Sequence, residues 1–359
     1  MNMNMKRMWK GIMEPLTRRG FLYGAGAGSL SLLGYRLLGR EEKGPSLLAP
    51  AAAEAAAGAH DARHDAAHGA AGPAGRVAMP WPSGKGMDPM KFLTTFDSGT
   101  VTRLPNGNVQ REYRIVAVDA EVEVAPGVRF AAWTYNGTVP GPTLRCTVGD
   151  LLKVHFLNEG SHPHTIHFHG IHPANMDGVF EQVPPGGQFT YEFPADPFGL
   201  FLYHCHTMPL KKHVHKGLYG AFIVDPATPR PKATEFVMVM NGFDTDLNGE
   251  NEFYTVNGVA NYYAERPIPL KVGEPVRIYL VNMTEFDLVN SLHVHANMFR
   301  LYRTGTSLTH FEVTDTVMLC QGERCILEFT YRTPGRYMFH AHQSEFAELG
   351  WMGFFDVTA

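Results

Sequence analysis

Gly199-Leu-Phe-Leu-Tyr-His204-Cys205-His206 returns in the second half of the chain as Gly335-Arg-Tyr-Met-Phe-His340-Ala341-His342. Both stretches are short, rich in aromatic and apolar residues, and open on a glycine ahead of the first histidine. That is strand composition, and along a strand residues two apart share a face. His204 and His206 therefore point one way while Cys205 points the other. His340 and His342 also share a face, but the residue between them is Ala341. Each half carries an earlier pair of the same form, His167-Phe-His169 and His293-Val-His295.

Outward from these pairs the whole sequence repeats. Tyr135-Asn136-Gly137 recurs as Val256-Asn257-Gly258, and Val148-Gly149-Asp150 as Val272-Gly273-Glu274. The stretch from Pro185 to Phe193 is echoed from Gly322 to Phe329, and Gly220-Ala-Phe-Ile-Val by Gly353-Phe-Phe-Asp-Val. Between these anchors lie short β-branched and aromatic runs separated by turn residues, supplied by 37 Gly and 25 Pro. Many short strands at this spacing predict an all-β chain of two β-sandwiches. The expected domains are residues 109–225 and 233–359, with Pro226–Lys232 as a hinge.

The 359 residues hold 31 basic and 35 acidic side chains, a balance that points to neither nucleic acid nor a membrane surface as partner. Four cysteines without regular spacing argue against a disulfide scaffold or a zinc ribbon. Thr17-Arg18-Arg19-Gly20-Phe21-Leu22 resembles a twin-arginine export motif, and Ala49-Pro50-Ala51 reads as a cleavage site. Residues 1–51 are therefore expected to be a signal peptide and the protein periplasmic or extracytoplasmic, a short uncleaved anchor being the alternative. Residues 52–108 read as an Ala/Gly/His-rich linker and N-terminal extension. His60, His64 and His68 recur every four residues there, as a solvated tail or as a copper-collecting tract.

Eight imidazoles arranged in strand pairs suit a cluster of copper ions, and a cysteine with histidine neighbours suits a separate blue-copper centre. His164, Cys205 and His213 supply two imidazoles and a thiolate; His215 is the rival to His213. Leu218 stands where an axial methionine is expected and cannot ligate, which leaves copper three-coordinate and at high potential. In the second half Asn290 replaces His164, Ala341 replaces Cys205, and no histidine follows His342. All three blue-copper ligands are missing together while both His-x-His pairs remain.

These motifs, His167-Phe-His169-Gly170, His204-Cys205-His206 and the two pairs of the second half, resemble those of two-domain, laccase-like multicopper oxidases over roughly Val109 onward. The resemblance implies two tandem cupredoxin-like Greek-key β-sandwiches with blue copper in the first only. It implies four coppers per chain: one blue (type 1), one type 2 on His167 and His293, and a type 3 pair on His169, His204, His206, His295, His340 and His342. It further implies a homotrimer with the cluster between subunits, and one-electron oxidation of a phenol, aromatic amine or metal ion coupled to reduction of O2. Oxygen reduction consumes protons, and Asp177, in Met176-Asp177-Gly178, matches the family's relay carboxylate; Glu345 or Glu348 is a candidate second relay.

A copper nitrite reductase is the nearest rival, but His167 and His206 stand where that family has Asp and Ala. A non-catalytic copper store or electron carrier leaves most of the pairs unexplained. Cys205, between two histidines on the opposite face, cannot close a zinc tetrahedron with both. Cys320 and Cys325 flank a hairpin-like Gln-Gly-Glu-Arg turn, where a disulfide or plain packing are both open, and Cys146 reads as packing. Lys211, Lys212 and Lys216 crowd the loop of His213, either favouring an anionic donor or merely solvated. His155, His162, His172 and His310 have no evident partner.

Overall fold

A computed structural model describes residues 88–359. The expected signal segment with its Ala49-Pro50-Ala51 site, and the His60, His64 and His68 tract, lie outside the described residues. Among the described residues no helix is long and apolar enough to cross a membrane.

The first half opens with a one-turn helix α1 (Pro89–Phe92), capped by the Asp88 carboxylate on the amides of Met90 and Lys91. Strands follow as β1 (Thr100–Arg103), β2 (Val109–Ala125), β3 (Val128–Tyr135), β4 (Leu144–Thr147) and β5 (Leu151–Asn158). Then come β6 (His167–Phe168), β7 (Gln188–Pro194), β8 (Gly199–His204), helix α2 (Leu210–His215) and β9 (Tyr219–Asp225). One sheet runs β1-β2-β5-β7 with β3 on β2, and the facing sheet runs β4-β9-β8-β6. Parallel pairings of β2 with β5 and of β4 with β9 close the Greek-key sandwich. Folded chain thus begins well before residue 109, because β1 adds to the edge of β2.

The second half repeats this plan. Its elements are β10 (Thr234–Phe243), β11 (Phe253–Val256), helix α3 (Tyr262–Glu265), β12 (Ile268–Lys271), β13 (Val276–Asn282) and β14 (Val289–Val294). They continue as β15 (Phe299–Arg303), β16 (Glu312–Thr314), β17 (Thr316–Cys320), β18 (Arg324–Phe329), β19 (Gly335–His340), helix α4 (Ser344–Glu348) and β20 (Met352–Thr358). The sheets run β11-β10-β13-β18-β15-β16 and β12-β20-β19-β14-β17. The repeated Asn-Gly turns have one job in both copies. Asn136 and Asn257 take positive φ, and each side chain bonds a backbone amide and a carbonyl of the first long strand of its domain. A short amide side chain makes both the left-handed turn and the clamp possible.

Each sandwich has its own apolar core, and a third core joins them. In it Leu200, Leu202, Ala221 and Ile223 meet Val237, Val239, Tyr279 and Ile326. Strands β8, β9 and β13 are accordingly buried on both faces, or nearly so, which is why they read as unbroken apolar runs. The segment between β9 and β10 is therefore a connection between two packed domains rather than a hinge. The Gln-Gly-Glu-Arg turn is not a hairpin either: β17 and β18 belong to different sheets. Cys320 is exposed on one and Cys325 is buried in the core on the other, and all four cysteines are free.

Candidate copper centres

Residues His164, Cys205 and His213 are brought together from three separate places in the first sandwich. Cys205 follows the last residue of β8, His213 lies on α2, and His164 sits at an isolated bridge to Val183. Cys205 Sγ is 3.3 Å from His213 Nδ1 and 3.9 Å from His164 Nδ1, and the two nitrogens are 3.2 Å apart. All three side chains are buried. Burial, helped by their mutual proximity, pushes His164 down to about 3, and burial with neighbouring His162 and Lys212 pushes His213 down to about 4. Both imidazoles are thus neutral at pH 7, as metal ligation requires. The Thr165 amide donates to Cys205 Sγ at 3.4 Å, an interaction suited to a thiolate.

His215, the rival, turns away: its ring packs on Phe130 and Phe286 and its Nε2 accepts the Asp244 amide. Leu218 is fully buried in the same apolar cluster as Cys205 and accepts the Cys205 amide through its carbonyl at 3.0 Å. Trp133, on β3, was not singled out from sequence. Its ring lies 5.3 Å from that of His164, 4.8 Å from His213 and 4.4 Å from exposed His162, with the Lys212 ammonium over it at 5.1 Å. Strand alternation alone gives no signal for such a partner. The three crowded lysines each lie on an aromatic face: Lys211 on Phe286, Lys212 on Trp133 and Lys216 on Phe130.

At the same place in the second sandwich the chemistry is gone. Asn290, fully buried, donates to Thr284 Oγ1, and Ala341 is fully buried among apolar residues.

The His-x-His pairs meet across the strand ladders. His167 is the register partner of His204, and His293 of His340. In the first domain His169 Nε2 lies 3.3 Å from His204 Nε2, and His167, His169 and His204 converge within 4.8 Å. In the second, His295 Nε2 lies 3.0 Å from His340 Nε2, and His293, His295 and His340 converge likewise. Nδ1 donates to a backbone carbonyl in His204 (Cys205), His340 (Ala341) and His167 (Asp177), which leaves Nε2 unprotonated and free to bind. Burial pushes His169 down to about 3 and His204 to about 4, and also lowers His167, His295 and His340. His206 and His342 are not among the converging ligand atoms, although their rings lie 5.4 Å from His167 and 5.5 Å from His293, as near as rings within the groups. Among the described residues, every converging group draws on one domain only.

The Asp177 carboxylate lies 3.2 Å from His167 Nδ1 and 3.7 Å from His172 Nε2, and His172 Nε2 donates to the Phe168 carbonyl at 2.9 Å, a partner that sequence did not reveal. Gly178 makes this possible: at φ +73° a Cβ there would sit 1.9 Å from the Ile166 carbonyl. Glu345 and Glu348 lie exposed on α4, and neither belongs to a converging group of histidines. The acidic residue beside the second group is Asp315, unmarked by any motif. Its carbonyl accepts from His293 Nδ1 at 3.0 Å, and its carboxylate takes the Thr316 hydroxyl, which is itself 2.9 Å from His293 Nδ1. His155 pairs with Glu112 and Thr190 at the surface, and Asp244, Asp246 and Glu252 form a separate acidic loop.

A buried thiol with two neutral imidazoles, and paired imidazoles with free Nε2 atoms, fit copper better than any hard cation. Residues 117–229 and 229–359 match two multicopper oxidase domain models. A crystal structure of a multicopper oxidase superposes with a TM-score of 0.75 at 54% identity, covering 76% of this chain and 98% of that one. A copper nitrite reductase from Nitrosomonas europaea superposes at 0.65 with 28% identity, covering 69% and 94%. The copper-containing nitrite reductase of Neisseria gonorrhoeae is 29% identical over 250 residues, 64% of this chain and 63% of that protein's length.

Proposed function

The chain belongs to the multicopper oxidase family, whose two domain models together match residues 117–359, and we propose that it is a laccase-like oxidase using four coppers per chain. His164, Cys205 and His213 would hold a type 1 copper with Leu218 in the axial place. His167 and His293 would hold the type 2 copper, and His169, His204, His206, His295, His340 and His342 the type 3 pair. When bound, copper supplies one-electron oxidation of the donor at the thiolate site and four-electron reduction of O2 to two waters at the histidine cluster.

The chain's own residues do the rest. Cys205 is covalently flanked by His204 and His206, so the thiolate and two cluster imidazoles are joined by one short run of backbone. Trp133 and the surrounding apolar side chains exclude water from the thiolate site. Asp177, half-buried and held at His167 Nδ1 and His172 Nε2, is placed to hold a proton at Oδ1 and release it toward the cluster. Asp315 would do the same through Thr316 beside His293.

Among the described residues no converging group draws on both domains, which supports a cluster completed between domains of different chains. Exposed Met298 and Val313 beside His293 and His295, and exposed Ile171 and Phe180 in the chain that follows the His167–His169 pair, provide apolar surface for that contact. A homotrimer with closed rotational symmetry forms three equivalent clusters, the arrangement we assign here. Export through the twin-arginine motif at Arg18-Arg19 to the periplasm is part of the same reading.

The observation that carries the proposal is the pairing of His167 with His204 and of His293 with His340 in one register, with a thiol at only one of the two sites. A nitrite reductase needs one catalytic copper on three histidines, which leaves His206 and several of the other paired imidazoles without a task. Copper per chain in the reconstituted protein tests this: four supports the oxidase, two with nitrite turnover supports the nitrite reductase, and one leaves an electron carrier.

A further inference from the structure

One residue after His164 stands Thr165, and one residue after its counterpart Asn290 stands Ser291. Both are buried. Thr165 Oγ1 accepts the backbone N–H of His206 at 3.0 Å, and Ser291 Oγ accepts the backbone N–H of His342 at 2.7 Å. The register explains the coincidence. Antiparallel pairing of His167 with His204 sets Thr165 opposite His206 two steps further on, and pairing of His293 with His340 sets Ser291 opposite His342. Strands β8 and β19 end at His204 and His340, so the amide two residues later has no ladder partner. A side-chain hydroxyl takes the place of the missing carbonyl in both domains.

The two halves separate the duties of this residue. In the first domain the Thr165 amide also donates to Cys205 Sγ; in the second the Ser291 amide is taken by Asn290 Oδ1. The thiol, both of its histidines and the amide-to-sulfur bond have all gone from the second domain, yet the hydroxyl bond remains. The hydroxyl therefore serves the histidine and not the thiolate. It fixes the backbone of the one paired histidine in each domain whose ligand atom is not part of that domain's converging group.

We propose that Thr165 and Ser291 are positioning residues whose hydroxyls set His206 and His342 to reach across to the histidine group of the partnering domain. The inference rests on the four-copper reading above. Thr165→Val keeps the side-chain shape and the amide to Cys205 while deleting the acceptor. It is expected to retain the blue absorbance and its one copper, while copper affinity at the cluster, followed by titration and by the electron paramagnetic resonance of the remaining centres, falls on the order of 10–100-fold, as for other supporting residues of metal sites. Thr165→Ser should restore it. Ser291→Ala should weaken the cluster equally, and the undisturbed blue band of the first domain then certifies that the chain has folded. Wild-type cluster affinity in the Val and Ala variants, or failure of Thr165→Ser to rescue, overturns the proposal. A wild-type protein holding only one or two coppers would instead end the four-copper reading itself.

Discussion

Cys205 and Ala341 occupy the same step of the fold, each one residue past the end of its strand and each fully buried. The thiol has two imidazoles beside it; the second domain has buried Asn290 in place of His164 and no counterpart to His213. Cys205→Ser is therefore expected to abolish the blue absorbance and donor oxidation while three coppers per chain remain. Ala341→Cys is expected to yield no second blue centre, because a thiolate without two imidazoles does not make one. Optical spectra and metal analysis of both variants check this; donor oxidation surviving in Cys205→Ser would sink the assignment.

Leu218 fills the axial place with an aliphatic side chain inside the Cys205 cluster. Leu218→Met nearly conserves volume, so it should cost less than about 1.5 kcal/mol of stability. A thioether there gives copper a weak fourth ligand, which lowers the reduction potential. Redox titration of the blue band should show the drop, and an unchanged potential would mean that the axial position lies elsewhere.

Much of this was legible because a strand has period two and because the chain repeats. The His-x-His spacing fixed which side chains share a face, and the twin Asn-Gly turns marked equivalent places in two sandwiches. Contacts between distant strands left no such mark. Trp133 lies on β3 and reaches His164 and His213 only through the Greek-key crossover, and Asp315 approaches His293 across the β14–β17 ladder. The disulfide left open for Cys320 and Cys325 assumed a hairpin, where the chain instead crosses between sheets.

The buried histidines give the copper-free protein a defined pH dependence. His164 and His169 lie at about 3, and His204, His213 and His215 at about 4, all lowered by burial from 6.5. Below pH 6.5 the unfolded chain takes up protons that the native state refuses, so stability is greatest above that value and is lost as pH falls toward 4 and 3. Each such group contributes at most about 1.4 kcal/mol per pH unit in that window. Urea midpoints of apo-protein should level off above pH 7 and fall progressively from pH 6.5 to 5; a flat profile across that fall would mean that these imidazoles are not held neutral.

Asp177 bridges toward His167 and His172. Asp177→Asn keeps the shape and removes the proton site. Oxygen turnover should fall by about 10²–10⁴-fold, the usual worth of a positioned acid or base. Anaerobic bleaching of the blue band by the donor should stay at the wild-type rate, since that step consumes no proton at the cluster. Equal slowing of both steps would show a structural role instead.

The separation of the histidine groups by domain gives the sharpest test of assembly. A chain with His169→Ala and His204→Ala lacks the first-domain group, and a chain with His295→Ala and His340→Ala lacks the second-domain group. If clusters form between subunits, each variant alone is inactive in oxygen reduction. In co-assembled oligomers, however, an interface pairing the intact first domain of one chain with the intact second domain of its neighbour restores a complete cluster. Random mixing in a closed ring produces such an interface about a quarter of the time, so roughly a quarter of wild-type turnover should return on co-expression. Clusters confined to single chains would return none, because no chain in the mixture carries both groups.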